Sequence, residues 1–577
     1  MRIAFVHTPM ATVPVPERQG FWRHFDIQYH SAHPGLRHMQ RSLWELPHWI
    51  LWLGGVLDAH GYRDLDVLDF YGRSDVFDGG TLNEPTVRRA VAEHPADVYL
   101  FSPMTPNLHL ALDIAGTVKA TYPMATTVFG GVVATPLHAE VAADPRVDAV
   151  VTDRAETALP ALLDALRDRA DLDAVGNLTR RRADGEVHAS RLRYPLVPAA
   201  DIPFPRVDLF PPETGADLRY LRHVYALGCP YRCTFCTIQT IGRRPDYFPI
   251  PRVLAEVRAY QEQYGKHNIY WGDETFTLHP ERTLELLRAL EVEGDLSYDC
   301  QTRLNCLNDE RLLPALHRSG CRWIEIGLET GSESSLDVHK SHMKLGSTEE
   351  VLRRLRDHGL AACAFTVNGF PDQTLDDMRR GIDWVCSLID RDLLQASYLF
   401  GLVPYPGSAM YERPEAFGME ILHHDHARYH EELPPVFRSR HATPEQVYAV
   451  FLDGLRSLAQ AMSKRPYFGA GPQPGTEGRV RQILGRRPRV SRLRSAGRRT
   501  SRAARTARAS RPAGSWCRSA APARPRRAAG GRPRPRGRRR SGGTAPGRAR
   551  RRAAGPAGPG GSAHPTSPPS APLAGHC

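Results

Sequence analysis

Short apolar, strand-like runs alternate along the chain with longer segments of helical periodicity, and they do so in two successive blocks. In the first block the runs at 3–7, 64–70, 98–102, 127–130 and 149–152 are predicted strands, with predicted helices at 44–60 and 108–120 between them. Strands that alternate with helices pair in parallel and must be covered on both faces, so residues 1–190 are expected to form an α/β, doubly wound, Rossmann-like domain of five strands. Such a sheet binds ligands beyond the C-terminal ends of its strands. The loops after His7, Ser102 and Gly130 are therefore the expected cofactor side.

Residues 191–215 hold six prolines between Tyr194 and Gly215 and read as an extended linker. The second block follows at 216–420. Its expected strands are 221–226, 268–272, 297–303, 323–328, 362–368 and 395–402, with helices at 251–264, 280–290, 310–319, 349–358 and 375–389. Six units fall short of a closed eight-stranded barrel, so a partial (β/α)6 barrel is expected, again with its site at the C-terminal strand ends. A small helical region is expected at 421–470, including a helix at 444–463.

Composition separates the rest. Residues 478–577 contain 27 Arg and no Lys, Asp or Glu; removing them from the formal charge of +13 leaves the preceding body at −14. This Arg-, Ala-, Pro- and Gly-rich tail has too little apolar surface to offset its ordering entropy and is expected to be disordered. Its lack of Lys is also what out-of-frame translation of a GC-rich gene would yield. The longest apolar run near the N-terminus, 49–57, is nine residues, against roughly 20 for a membrane-spanning helix, and no export signal is read. The expectation is a cytoplasmic enzyme with no membrane partner.

Of ten cysteines none precedes Cys229, and three are packed together in Cys229-Pro-Tyr-Arg-Cys233-Thr-Phe-Cys236, directly behind the first strand of the second block. Three thiolates from one loop, with no second cysteine pair at zinc-site spacing, point to a four-iron cluster with one iron left open. Cys300, Cys306, Cys321, Cys363 and Cys386 fall on or beside expected strands and helices and read as small buried hydrophobes.

The Cys-x3-Cys-x2-Cys spacing behind a strand that opens a partial barrel resembles the radical S-adenosylmethionine (SAM) superfamily. The resemblance implies a [4Fe-4S] cluster held by Cys229, Cys233 and Cys236, with Phe235 as an apolar wall. Trp271-Gly-Asp-Glu-Thr-Phe276 and Gly327-Leu-Glu-Thr-Gly-Ser332 resemble the family's SAM-binding segments. This implies SAM contacts from Asp273, Glu274, Glu329 and Thr330. Gln301 and Arg303 share one face of the third strand, and Arg303 would meet the SAM carboxylate. Gly130-Gly131-Val-Val-Ala-Thr135 and the acidic segment ending at Glu156 resemble the cobalamin-binding domain of one large radical SAM class, with Val133 where that class commonly has histidine. The implied cobalamin contacts are Ser102, Gly130, Gly131 and Thr135. The histidine motif Asp-x-His-x-x-Gly is absent from the chain, so no cobalt ligand from it is expected.

The class implies a cobalamin-dependent radical SAM methyltransferase. The cluster would reduce SAM to a 5′-deoxyadenosyl radical, and methylcobalamin would methylate an unactivated carbon or a phosphinate phosphorus of a small-molecule intermediate in antibiotic biosynthesis. An external donor of flavodoxin or ferredoxin type would supply electrons. The run from Cys236 to Arg244 and the stretch from Glu329 to His342 resemble the phosphinate P-methylase branch, with Arg243 and Arg244 as an anion-attracting loop. No catalytic acid or base is assigned. The alternatives are a radical SAM/cobalamin cyclase or oxidoreductase without methyl transfer, and a nucleic-acid-binding protein acting through the tail; the body's composition makes nucleic acid the poorer partner.

Overall fold

The computed structural model describes residues 1–9, 46–71, 75–78 and 81–462 apart from 217, 219, 241, 243, 295 and 341, together with residue 464. The basic tail lies outside the described residues, as does Arg243.

The N-terminal sheet has seven strands. Five are parallel: β1 (Ile3–His7), β2 (Leu65–Asp69), β3 (Val98–Phe101), β4 (Thr126–Phe129) and β5 (Ala149–Val151). Their order, β2-β1-β3-β4-β5, reverses direction between β1 and β3, the topological switch point at which doubly wound sheets bind ligands. The sheet buries Ile3, Phe5, Leu100 and Val128 toward one face and Ala4, Val6, Phe101 and Phe129 toward the other, so its strands read as near-continuous apolar runs. Helices α1 (His48–Ala59), α2 (Glu84–Glu93), α3 (Leu108–Thr121) and α4 (Ala158–Asp168) cover it. Two further strands, β6 (Leu178–Arg181) and β7 (Val187–Ala189), extend the edge as an antiparallel hairpin. The five-strand expectation missed them because both are short and polar; the signal is the Asp184-Gly185 turn, with Gly185 at φ +88°.

The linker is packed, not free. Residues 199–216 make three short 3-10 turns, and a Cβ on Gly55 of α1 would stand 2.0 Å from the Phe204 carbonyl oxygen. Paired glycines at 54 and 55 thus let the proline-rich segment lie directly on α1.

The second sheet contains β8 (Leu221–His223), β9 (Asn268–Trp271), β10 (Ser297–Thr302), β11 (Cys321–Glu329), β12 (Ala361–Asn368) and β13 (Ala396–Gly401), all parallel and paired in sequence order. Sequential parallel pairing is the topology of a partial barrel. Its outer helices are α5 (Ile250–Tyr264), α6 (Pro280–Glu293), α7 (Leu312–Arg318), α8 (Thr348–Asp357) and α9 (Leu375–Asp390). Their ends carry their own stop and start signals: Gly265 closes α5 in the left-handed region at φ +63°, and Thr374 with Asp377 forms a reciprocal capping box on α9. α10 (Pro444–Met462) packs against α9, and a small hairpin, Met419–Ile421 with Phe437–Ser439, precedes it where only helices were expected. Both sheets belong to one unit, Met1–Val490.

Candidate cofactor sites between sheet and barrel

The cysteine loop leaves the barrel just after the short strand Ala226–Leu227. Cys229 is buried, Cys233 and Cys236 are half-buried, and all three thiols are free. The loop turns on Gly228, whose φ of +85° no side-chain-bearing residue adopts easily and whose Cβ would lie 2.8 Å from the Arg244 carbonyl. Burial raises the Cys229 thiol and pushes Cys236 up to about 12, with the Glu274 carboxylate adding to both. Protonated thiols of this kind must release protons on binding metal. Among the described residues no three His, Cys, Asp or Glu side chains surround a point closely enough for one ion; a four-iron cluster takes one thiolate per iron and has no such need.

Two side chains hold the loop from behind. Thr234 gives its N–H to the His339 carbonyl at 3.1 Å and pairs its hydroxyl with His339 Nδ1 at 2.9 Å. His339 Nε2 in turn donates to Asp372 at 2.9 Å, and Ser335 donates to the same carboxylate at 2.6 Å. Burial pushes Asp372 up, but these bonds outweigh it and hold the carboxyl below its usual range. Arg303 Nη1 approaches Cys233 Sγ at 3.3 Å while its guanidinium lies 3.8 Å over the Tyr231 ring. Phe235 meets Phe370 edge to face at 5.7 Å, so its ring is part of a small apolar cluster beside the loop.

The expected SAM carboxylates separate into different roles. Asp273 is 2% exposed and spends its oxygens on the backbone N–H groups of Tyr225 and Ala226, at 3.1 and 2.7 Å. It therefore pins the strand end ahead of the cysteine loop and is not among the residues that line the cavity described below. Burial pushes it up to about 8. Glu274 points the other way and lines the cavity described below. Glu329 has left-handed backbone, φ +62°, at an irregularity between β11 and β12, and Lys340 donates to its carboxylate at 2.5 Å. Lys340 thus balances its charge, and Thr330 accepts from Gln373 at 2.6 Å.

A cavity of about 340 Å³ lies between the C-terminal ends of the first sheet and the rim of the barrel. Ser102, Gly130, Gly131, Asp153, Arg154 and Glu156 line it from the sheet. A Cβ on Gly131, at φ +85°, would stand 2.3 Å from the Ser102 hydroxyl oxygen, so this turn must stay bare for anything to approach its backbone. Asp153, also left-handed at φ +61°, donates its N–H to the Thr135 hydroxyl at 3.0 Å. Thr135 thus braces Asp153 and is not among the residues that line the cavity. Arg154 and Glu156 pair at 3.0 Å. Trp49 and Trp52 of α1 supply an apolar side, and Arg222, Gly228, Gly272 and Glu274 supply the barrel side. Sequence reasoning missed His339, Lys340, Arg222 and the tryptophans: each acts with a partner distant in sequence, which no local pattern shows.

Residues 45–163 match the B12 binding domain and residues 224–385 match the Radical SAM superfamily. The chain joins a B12-binding domain to a radical SAM domain. Its fold agrees with the structure of a radical SAM methyltransferase, TsrM, from Kitasatospora setae with cobalamin and a [4Fe-4S] cluster bound: TM-score 0.59 at 16% identity, covering 79% of this chain and 89% of that one. Two curated relatives are an uncharacterized methyltransferase of Pyrococcus horikoshii, 28% identical over 52% of this chain and 65% of its own length, and the anaerobic magnesium-protoporphyrin IX monomethyl ester cyclase of Rubrivivax gelatinosus, 24% identical over 58% and 60%. The chain thus spans about three-fifths of these relatives. A B12-binding domain beside a radical SAM domain implies cobalamin, SAM and a [4Fe-4S] cluster as cofactors. The residues present fit them: three free thiols in one loop of the radical SAM domain, and a glycine-floored cavity at the B12-binding domain's switch-point side.

Proposed function

We propose that the chain is a cobalamin-dependent radical SAM methyltransferase that methylates an unactivated carbon of a small molecule in secondary metabolism, including antibiotic biosynthesis, with electrons from a flavodoxin- or ferredoxin-type donor. The observation that carries this reading is the shared wall: Gly228 and Glu274 of the barrel line the same cavity as Ser102, Gly130 and Gly131 of the sheet. Chemistry begun at the cysteine loop therefore opens directly onto the B12-binding domain.

When bound, the reduced cluster with SAM supplies a radical that removes hydrogen, and cobalamin supplies the methyl group. The chain's own residues prepare the place. Cys229, Cys233 and Cys236 would hold the cluster, and Arg303 offers a fixed cation beside Cys233 for a carboxylate. Glu274 presents a carboxylate to an ammonium from the cavity wall. The bare Gly130–Gly131 turn offers backbone to a corrin-sized ligand, and Trp49 and Trp52 exclude water from that side. A phosphinate acceptor would rest on the resemblance of the Cys236–Arg244 run and the Glu329–His342 stretch, with Arg244 exposed for an anion.

The cyclase relative makes radical chemistry without methyl transfer the second reading. Anaerobic incubation of the cluster-loaded protein with methyl-labelled SAM, cobalamin, reductant and candidate metabolites separates the two. Labelled product together with 5′-deoxyadenosine is expected; 5′-deoxyadenosine with an unlabelled, oxidised or cyclised product would support the cyclase.

A further inference from the structure

The end of β13 carries a buried acidic group that none of the three cofactors accounts for. Gly401 donates its N–H to the Glu431 carbonyl at 2.6 Å, and a Cβ on Gly401 would stand 2.7 Å from that oxygen. Residues 431–433 are thus pressed onto the C-terminal end of a barrel strand. Directly after the strand, the Tyr405 hydroxyl donates to Glu431 Oε1. Beside them Glu432 is 4% exposed, and its Oε2 has no hydrogen-bond partner among the described residues. Its backbone N–H is taken by His430 Nδ1 at 3.2 Å.

Position gives this group a use. Met410 donates its N–H to the Thr234 carbonyl in the cysteine loop at 3.1 Å. A Cβ on Gly407 would stand 2.6 Å from Thr240 Cγ2 and 3.3 Å from Pro136 Cγ. The turn that bears Tyr405 therefore touches the cysteine segment on one side and the B12-binding domain, next to Thr135, on the other. The acids are thus tied, through Tyr405, to a turn that bridges the cysteine segment and the B12-binding domain.

We propose that Glu431 and Glu432 are substrate-recognition acids that take the protonated nitrogen of a substrate bearing a basic amine. The inference rests on the preceding reading that the barrel processes a small molecule between the two cofactors. A buried carboxyl oxygen without a partner is costly; burial, and then the neighbouring Glu431, push Glu432 well above the ordinary carboxylate range. An ammonium placed between the two acids removes both penalties at once. A phosphinate or carboxylate there would add a further negative charge, so the group selects a cationic substrate against an anionic one.

The test uses cyclohexylammonium with its neutral and anionic isosteres, cyclohexanol and cyclohexanecarboxylate, titrated by saturation-transfer NMR into the full cluster-loaded chain. The ammonium is expected to bind at least about tenfold more tightly than either isostere, the worth of one hydrogen bond to a charged group. Glu432→Gln and Glu431→Gln, checked for wild-type iron content and circular dichroism, should each lose that preference, and Tyr405→Phe should lose part of it. Equal binding of the three probes to the wild type, or an undiminished ammonium preference in both Gln variants, would overturn the proposal. If the variants fail to fold, the three-probe comparison on the wild type decides alone. Formation of 5′-deoxyadenosine by the wild type is measured in parallel: its absence with the ammonium preference intact would count against the proposed reaction and leave the recognition site standing.

Discussion

Asp273 and Glu274 are adjacent in sequence and opposite in role. Asp273 is enclosed and bonded to backbone, and because its folded value near 8 lies above the unfolded value of 3.8, its contribution to stability is greatest below that unfolded value and is lost as pH rises toward about 8. Thermal unfolding of the chain should show this decline, and Asp273→Asn should flatten it; an unchanged slope would contradict the assignment. Glu274→Gln should weaken SAM binding, read by equilibrium dialysis, and, because burial raises this carboxyl too and its charge adds to the rise of Asp273, should remove part of the same slope. Cys233→Ala should abolish the cluster, with bound iron and 5′-deoxyadenosine falling to background. The cysteine spacing was legible in the sequence because all three cysteines come from one loop. The direction of each carboxylate was not, since which one turns inward depends on where the Tyr225 and Ala226 amides lie after folding.

At the scale of elements, two turns decide whether the cofactors can be held. The Gly131 turn has no room for a side chain, so Gly131→Val should remove corrinoid binding, measured by the visible spectrum of the desalted protein, while iron content stays at the wild-type level. The His339–Asp372 pair holds the cysteine loop through Thr234, and His339→Ala should cost about 1 kcal/mol of stability by removing one of the two donors to a half-buried carboxylate, with a lower yield of iron per chain on reconstitution. Parallel strands and their helices were visible in the sequence because each is a long, strongly periodic segment; those of the barrel lie within a few residues of expectation. The β6–β7 hairpin and the Met419–Ile421 pairing were not, because two- to four-residue polar strands carry no period to read. The linker illustrates the same point from the other side: prolines predict extension, but only the Gly54–Gly55 pair on α1 shows what the extended segment rests on.

For the whole molecule, the arrangement of two ligand-binding strand ends facing one cavity is the property that neither sheet has alone. Every element that lines it ends before residue 463, so a chain truncated after residue 477 is expected to retain cluster, corrinoid and turnover, whereas loss of turnover on truncation would favour a role for the Arg-rich tail. Fold and cofactors were readable as two separate blocks; their common wall was not, because Trp52, Glu156 and Glu274 come together only through packing. The central claim, that cluster and corrinoid sit against one cavity, is tested most directly by electron paramagnetic resonance of protein carrying both the reduced cluster and cob(II)alamin. Magnetic coupling between the two centres, absent in Gly131→Val, is the predicted result; two independent, uncoupled signals from fully loaded wild-type protein would contradict it.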